Sequence, residues 1–308
     1  MPSLWSIEDA NADEGYQNIK AGDSAAEREM RESLDEMWVV FEPFADRDFL
    51  PAFSHDPDAR FWEMFLGYSL LQNGRTLMPA TERGNQEGLP DICLLDGDRR
   101  VWIEATAPGD GATGPDQVVR PVPINEGGGL AAAPERQVQL RVTSALYTKS
   151  AAFARYVERG TITSEDVKLI AIGAARFGAY ASDDPPSALK AVFPIGDQFL
   201  RINRETGEVV EEGFLESRTI ERENGAIDRT AFLTGEYSHI SGLVWSRVGI
   251  GNFNTRVRPI SLIHNPMSEV LMPEGWNVWN REYVARRQGE NWQVENIAED
   301  ACEAQPAQ

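Results

Sequence analysis

Residues 88–106 read GLPDICLLDGDRRVWIEAT, and the fold of the chain turns on this stretch. Pro90 ends a turn into Asp91, and the apolar run 92–95 follows. After the Asp96-Gly97-Asp98 turn comes a second apolar run, Val101-Trp102-Ile103, closing on Glu104. An Asp-Gly pair between two β-prone runs is a strong hairpin signal, because glycine supplies the positive φ that a tight turn needs. In such a hairpin Asp91 begins one strand and Glu104 ends its partner. Antiparallel pairing then carries both carboxylates to the same end of the ribbon. Two carboxylates held close repel each other, and a hard divalent cation is the usual relief. Two solvated acids at strand ends would leave the same pattern.

Working outward, residues 59–73 (ARFWEMFLGYSLLQN) predict a helix with a wide apolar stripe, stopped by Gly74. Glu63 is the one acid inside it. Residues 25–40 predict an earlier helix, 1–20 a polar lead-in, and 46–57 a loop broken by proline and acids. Downstream, 108–134 is rich in Gly and Pro, and its Asn125–Gly129 run lacks the spacing and lysine of a phosphate-binding loop. Residues 135–158 predict a second long helix, with Gln137, Arg141, Ser144 and Thr148 on one polar face. Residues 167–175 (VKLIAIGAA) suit a buried strand. Segment 180–224 breaks into short pieces with a hairpin over 199–210. Residues 239–248 and 259–263 read as further strands, and the aromatic-rich 273–287 as a cover over the core.

The order of these elements, together with Glu63, Pro90-Asp91 and Glu104-Ala105-Thr106, resembles the PD-(D/E)xK nuclease superfamily over about residues 59–175. The resemblance implies a restriction-endonuclease-like αβββαβ core, an α/β fold whose mixed central sheet is flanked by helices, with N- and C-terminal extensions. Residues 1–58 would be an acidic extension, 59–265 the core with an insertion near 180–224, and 266–308 a cover and acidic tail. By the same resemblance Asp91 and Glu104 would ligate Mg²⁺ or Mn²⁺, with Glu63 as a third ligand, direct or through water. The substrate would be nucleic acid, DNA ahead of RNA. One departure matters: Thr106 stands where the motif has lysine, and threonine brings no positive charge. Arg141 or Lys149 from the second helix would have to supply it, with Gln137 as a further supporting residue. The alternative is a degenerate nuclease scaffold that binds protein.

Composition sets bounds on these readings. Net charge is −20, but residues 1–60 carry −10 of it and the chain after Arg287 another −5, so the middle is nearly balanced. A chain coating nucleic acid over its whole surface is therefore excluded, whereas a local basic groove is not. The acidic termini suit contact with a protein partner. Cys93 and Cys302 are the only cysteines, too few for a disulfide framework and compatible with a reducing cytoplasm. The start of the chain lacks the pattern of a signal peptide, and no run is apolar enough for a membrane helix, so the expected location is cytoplasmic. His55, His239 and His264 lie far apart, and no G-x-S-x-G, H-E-x-x-H or C-x-x-C occurs. Trp62 and Trp102 fall at expected core positions; Trp276, Trp279 and Trp292 are candidates for a partner surface.

Overall fold

The computed structural model describes residues 2–83, 88–119, 133–178, 184–254, 260–276 and 278–298. The run at 125–129 and Cys302 lie outside them. Four helices come first: α1 (Glu14–Ala21), α2 (Ala25–Phe41), α3 (Phe49–His55) and α4 (Pro57–Gln72). Then follow β1 (Thr76–Leu77), β2 (Ile92–Asp96), β3 (Arg99–Thr106), α5 (Glu135–Glu158), β4 (Val167–Gly173) and α6 (Ser187–Val192). Two hairpins, β5 (Ile195–Ile202) with β6 (Val209–Glu216) and β7 (Thr219–Arg222) with β8 (Gly225–Asp228), precede the last strands. These are β9 (Gly242–Ser246), β10 (Ile260–His264), β11 (Arg281–Gln288) and β12 (Asn291–Asn296).

Eight strands form one mixed sheet in the order β1-β2-β3-β4-β9-β10-β11-β12. The first three are an antiparallel meander, β4 joins β3 in parallel, and β9 joins β4 in parallel. The alternation of side chains along β3 divides the core in two. Val101 and Ile103 face α1–α4, while Trp102 faces α5 and α6. In β4 all seven residues are buried, as a central parallel strand with helices on both faces requires.

Helix α4 is the pivot. Asp56 caps it by accepting from Ala59 N, and Pro57 sits in the first turn, where no amide is needed. Phe61, Trp62, Met64, Phe65, Leu66 and Leu70 are all buried, on every side of the helix. Each such side chain is worth about 1.5–3 kcal/mol when removed from water. Trp62 also donates its indole N–H to Ala171 O at 3.1 Å, fastening helix to sheet. Gly67 has no side chain because Phe41 of α2 lies directly on it.

Three segments differ from what the sequence suggests. Residues 46–57 hold helix α3, not a loop, because Phe49 and Phe53 (one turn apart) both enter the core. The polar lead-in contributes Leu4, Trp5 and Tyr16 to the same core, and α1 begins at Glu14, capped by Asp13. The expected cover at 273–287 includes β11, which extends the sheet, and Trp276 and Trp279 stack edge-on in the core instead of facing a partner. No described helix is long and apolar enough to cross a membrane.

Candidate functional site

The β2–β3 turn is tight because Gly97 takes a φ of 61°. That turn fixes the register Ile92↔Ile103, so the next residues outward, Asp91 and Glu104, stand side by side at one end of the ribbon. Asp91 leans across the gap, and its Oδ2 accepts from Ala105 N at 2.7 Å. Its backbone is held from behind by Arg83. That buried guanidinium donates to Pro90 O at 3.0 Å, to Asp91 O, to Phe44 O at 2.6 Å and to Asp46 Oδ1 at 3.1 Å.

Glu104 shares the α5 face of β3 with Trp102. There Lys149 Nζ donates to its Oε1 at 2.7 Å, and Tyr156 OH donates to its Oε2 at 3.4 Å. Lys149 and Tyr156 lie seven residues apart, two turns along one face of α5. From the other side of the sheet, α4 brings Glu63, whose Oε2 accepts from Arg60 Nη1 at 2.6 Å. Glu63 and Glu104 both act on the Asp91 carboxyl, and in this row of acids Arg60 pairs with Glu63 and Lys149 with Glu104.

Electrostatics set the character of the row. Burial pushes the Glu63 carboxyl up to about 7, against the pull of Arg60. Asp91 is held well above the ordinary carboxylate range, first by burial and then by Glu63 and Glu104, with Lys149 opposing. Tyr156 is raised by burial and by Glu104, so its hydroxyl stays protonated and serves as a donor. Two acids that resist ionising, side by side, form a place where a cation would be welcome.

The donor chemistry suits Mg²⁺ or Mn²⁺, since every candidate atom is an oxygen. Among the described residues Glu63 Oε1 is buried with no hydrogen-bond partner, an orphaned acceptor that a cation would satisfy. As the side chains stand, Arg60 and Lys149 occupy the outer acids. Among the described residues no group of three or more His, Cys, Asp or Glu is placed to hold a metal ion.

Of the residues the sequence singled out, Glu63, Asp91, Glu104 and Lys149 come together. Thr106 lies two residues beyond Glu104 on the same face of β3, half-buried, paired with Ile172 of β4. Gln137 and Arg141 belong to the other half of α5 and face loop 107–119. Gln137 donates to Pro115 O at 3.3 Å, and the Arg141 guanidinium lies against Gly111. Arg60, Arg83 and Tyr156 were not foreseen. The i,i+3 spacing of Arg60 and Glu63 and the two-turn spacing of Lys149 and Tyr156 were readable signals; nothing marked Arg83. The histidines serve elsewhere, with His239 Nε2 at 2.8 Å from Ser150 Oγ and His264 Nε2 at 2.8 Å from the buried Glu282.

No family model, no curated protein and no solved structure matches the chain.

Proposed function

We propose that this chain belongs to the class of metal-dependent phosphodiesterases built on a restriction-endonuclease-like core. Within that class we read it as a nuclease, with DNA as the first substrate to try. The observation that carries this reading is the 2.7 Å contact between Lys149 Nζ and Glu104 Oε1. It supplies, from helix α5, the positive charge that the motif lacks at Thr106. The α-β-β-β-α-β order of α4, β1–β3, α5 and β4 supports the same reading.

Asp91 and Glu104 would hold the ion, with Glu63 joining directly or through water. Such an ion supplies Lewis acidity toward a phosphate oxygen and makes a water nucleophilic near neutral pH. The chain's own residues do the rest. Arg83 keeps the Asp91 backbone fixed, and Ala105 N–H orients its carboxylate. Tyr156 orients Glu104 by its hydroxyl. Lys149 would present its ammonium to the anionic scissile phosphate and would stabilise the charge that grows there as the P–O bond breaks. Arg60, which here holds Glu63, would be the guanidinium available to a flanking phosphate.

One observation favours a second reading, a non-catalytic scaffold: both outer acids already have basic partners without any metal. A cleavage assay separates the two. Linear and circular DNA, and RNA, are incubated with Mg²⁺ or Mn²⁺ beside Asp91→Asn and Glu104→Gln. The nuclease reading requires metal-dependent cleavage that falls by at least about 10²-fold in both variants, the scale of losing a group that stabilises the transition state. No cleavage, together with no metal-induced rise in Tm, refutes it.

A further inference from the structure

Helix α5 carries a feature besides its contacts with Glu104. Residues 137–157 contain Arg141, Lys149 and Arg155 and no acid, in a chain whose 49 acids among 308 residues would place about three there on average. Arg159 follows as the C-cap. At about 100° per residue, Arg141, Thr148, Arg155 and Arg159 fall within about 40° of one another round the helix axis. Lys149 stands about 80° round from Arg141, toward the sheet and Glu104. The result is a line of cations about 27 Å long, with Lys149 about 12 Å from the Arg141 end and about 15 Å from the Arg159 end.

The three arginines of this line are not spent on carboxylates. Arg136, Arg176, Lys190 and Arg286 each sit in an ion pair, whereas among the described residues Arg141, Arg155 and Arg159 have none. Arg155 and Arg159 are exposed, and Arg141 Nε is enclosed without a hydrogen-bond partner among the described residues. At both ends the facing chain is glycine: Gly111 lies against the Arg141 guanidinium, and Gly88 lies beside Arg159 Nη1. Gly88 precedes Asp91 and Gly111 follows Glu104, so the line passes the acid row and continues on either side of it. A small anion would need these groups to converge on one point, yet they are spread over about five turns. A long, regularly charged anion fits them: a nucleic-acid duplex presents one phosphate per about 3.4 Å of each strand, so about eight nucleotides span the line.

We propose that the α5 cations are a track for a phosphodiester strand that runs across the acid row, held on both sides of the bond to be cut. Cleavage is then internal, and binding needs no free end. A line that stopped at Lys149 would suit a strand terminus; cations on both sides of it hold a strand that passes through. What happens at the acid row rests on the nuclease reading, while the path of the strand rests on the α5 cations.

Fluorescence anisotropy of a labelled DNA duplex of about 30 bp, in EDTA and at several salt concentrations, tests the track without cleavage. Arg141→Gln, Arg155→Gln and Arg159→Gln should each weaken binding about 3- to 10-fold and lower the slope of log K against log salt by about 1. Arg204→Gln, an exposed arginine in the β5–β6 turn, should leave both unchanged. The same duplex with both ends closed by hairpin loops should bind as tightly as the open one. A wild type that does not bind, α5 variants that bind unchanged, an Arg204 variant that loses as much as they do, or a requirement for a free end overturns the proposal. Cleavage in Mg²⁺ is read in parallel. A chain that cleaves while the Arg155 and Arg159 variants bind unchanged refutes the track alone, and one that binds along α5 but cuts nothing refutes the nuclease alone.

Discussion

Replacing Glu63 with glutamine should make the metal-free protein more stable in alkali while leaving it unchanged in acid. The carboxyl rises from an ordinary 4.5 to about 7 in the fold because burial outweighs the pull of Arg60. A raised value means that the native state holds its proton where the unfolded chain has released it. The resulting stability is therefore fully present below 4.5 and is lost as pH rises through 7. The difference between the two values, at 1.36 kcal/mol per unit, comes to about 3 kcal/mol by pH 8.5. For a chain of this length that is roughly 6 °C in Tm. Glutamine mimics the protonated acid at every pH, so it escapes the loss. Thermal melts in EDTA at about pH 5 and about pH 8.5, wild type beside Glu63→Gln, read the effect directly. The curves should coincide at the lower pH and separate by several degrees at the higher, the variant above. Saturating Mg²⁺ should restore the wild type, by about 2.7 kcal/mol at one hundred times its Kd, and help the variant less. A gap that stays constant with pH would refute the reasoning, because Glu63 would then be ionising as an exposed glutamate does.

Two further perturbations probe other parts of the structure. Lys149→Met should cut cleavage by at least about 10²-fold, and adding Thr106→Lys should recover part of it, because residue 106 shares the face of Glu104; an inert double variant in a folded protein would show that the ammonium must come from α5. Gly67→Ala should cost about 1–3 kcal/mol in urea unfolding, since the new methyl meets the Phe41 ring of α2, and an unchanged midpoint would mean the α2–α4 contact is looser than described.

The hairpin, its turn and the neighbouring acids were legible because they are local: one Asp-Gly turn fixes a register, and the register fixes which side chains are neighbours. Helices α4 and α5 were legible from their stripes. Segment 46–57 was not, because Pro51, Pro57 and three aspartates hide a seven-residue helix held by two phenylalanines reaching a distant core. Strand β11 was missed for a related reason. Its sequence REYVARRQ looks like surface, and only its first half, alongside β10, is buried. Lys149 was a candidate from its position on the helix, but Arg141 had an equal claim in sequence. The choice between them depends on how far α5 slides along the sheet, and tertiary packing alone sets that. Arg83 carried no signal, because its acceptors are main-chain carbonyls, which every residue has.

The reach of Arg83 to Phe44 and Asp46 bears on how this protein can be handled at the bench. Trimming the acidic first 58 residues is a natural step for anyone seeking tighter nucleic-acid binding, since it removes 15 acidic and 4 basic side chains, a charge of −11. Yet that cut would strip Trp5, Tyr16, Phe41 and Phe53 from one side of α4 and take away two of the groups that hold Arg83 in place. The shortened chain would expose a broad apolar helix face and release the backbone of Asp91 together. Charge reversal at exposed acids such as Glu29 or Glu36 reaches the same electrostatic end and keeps that wall standing.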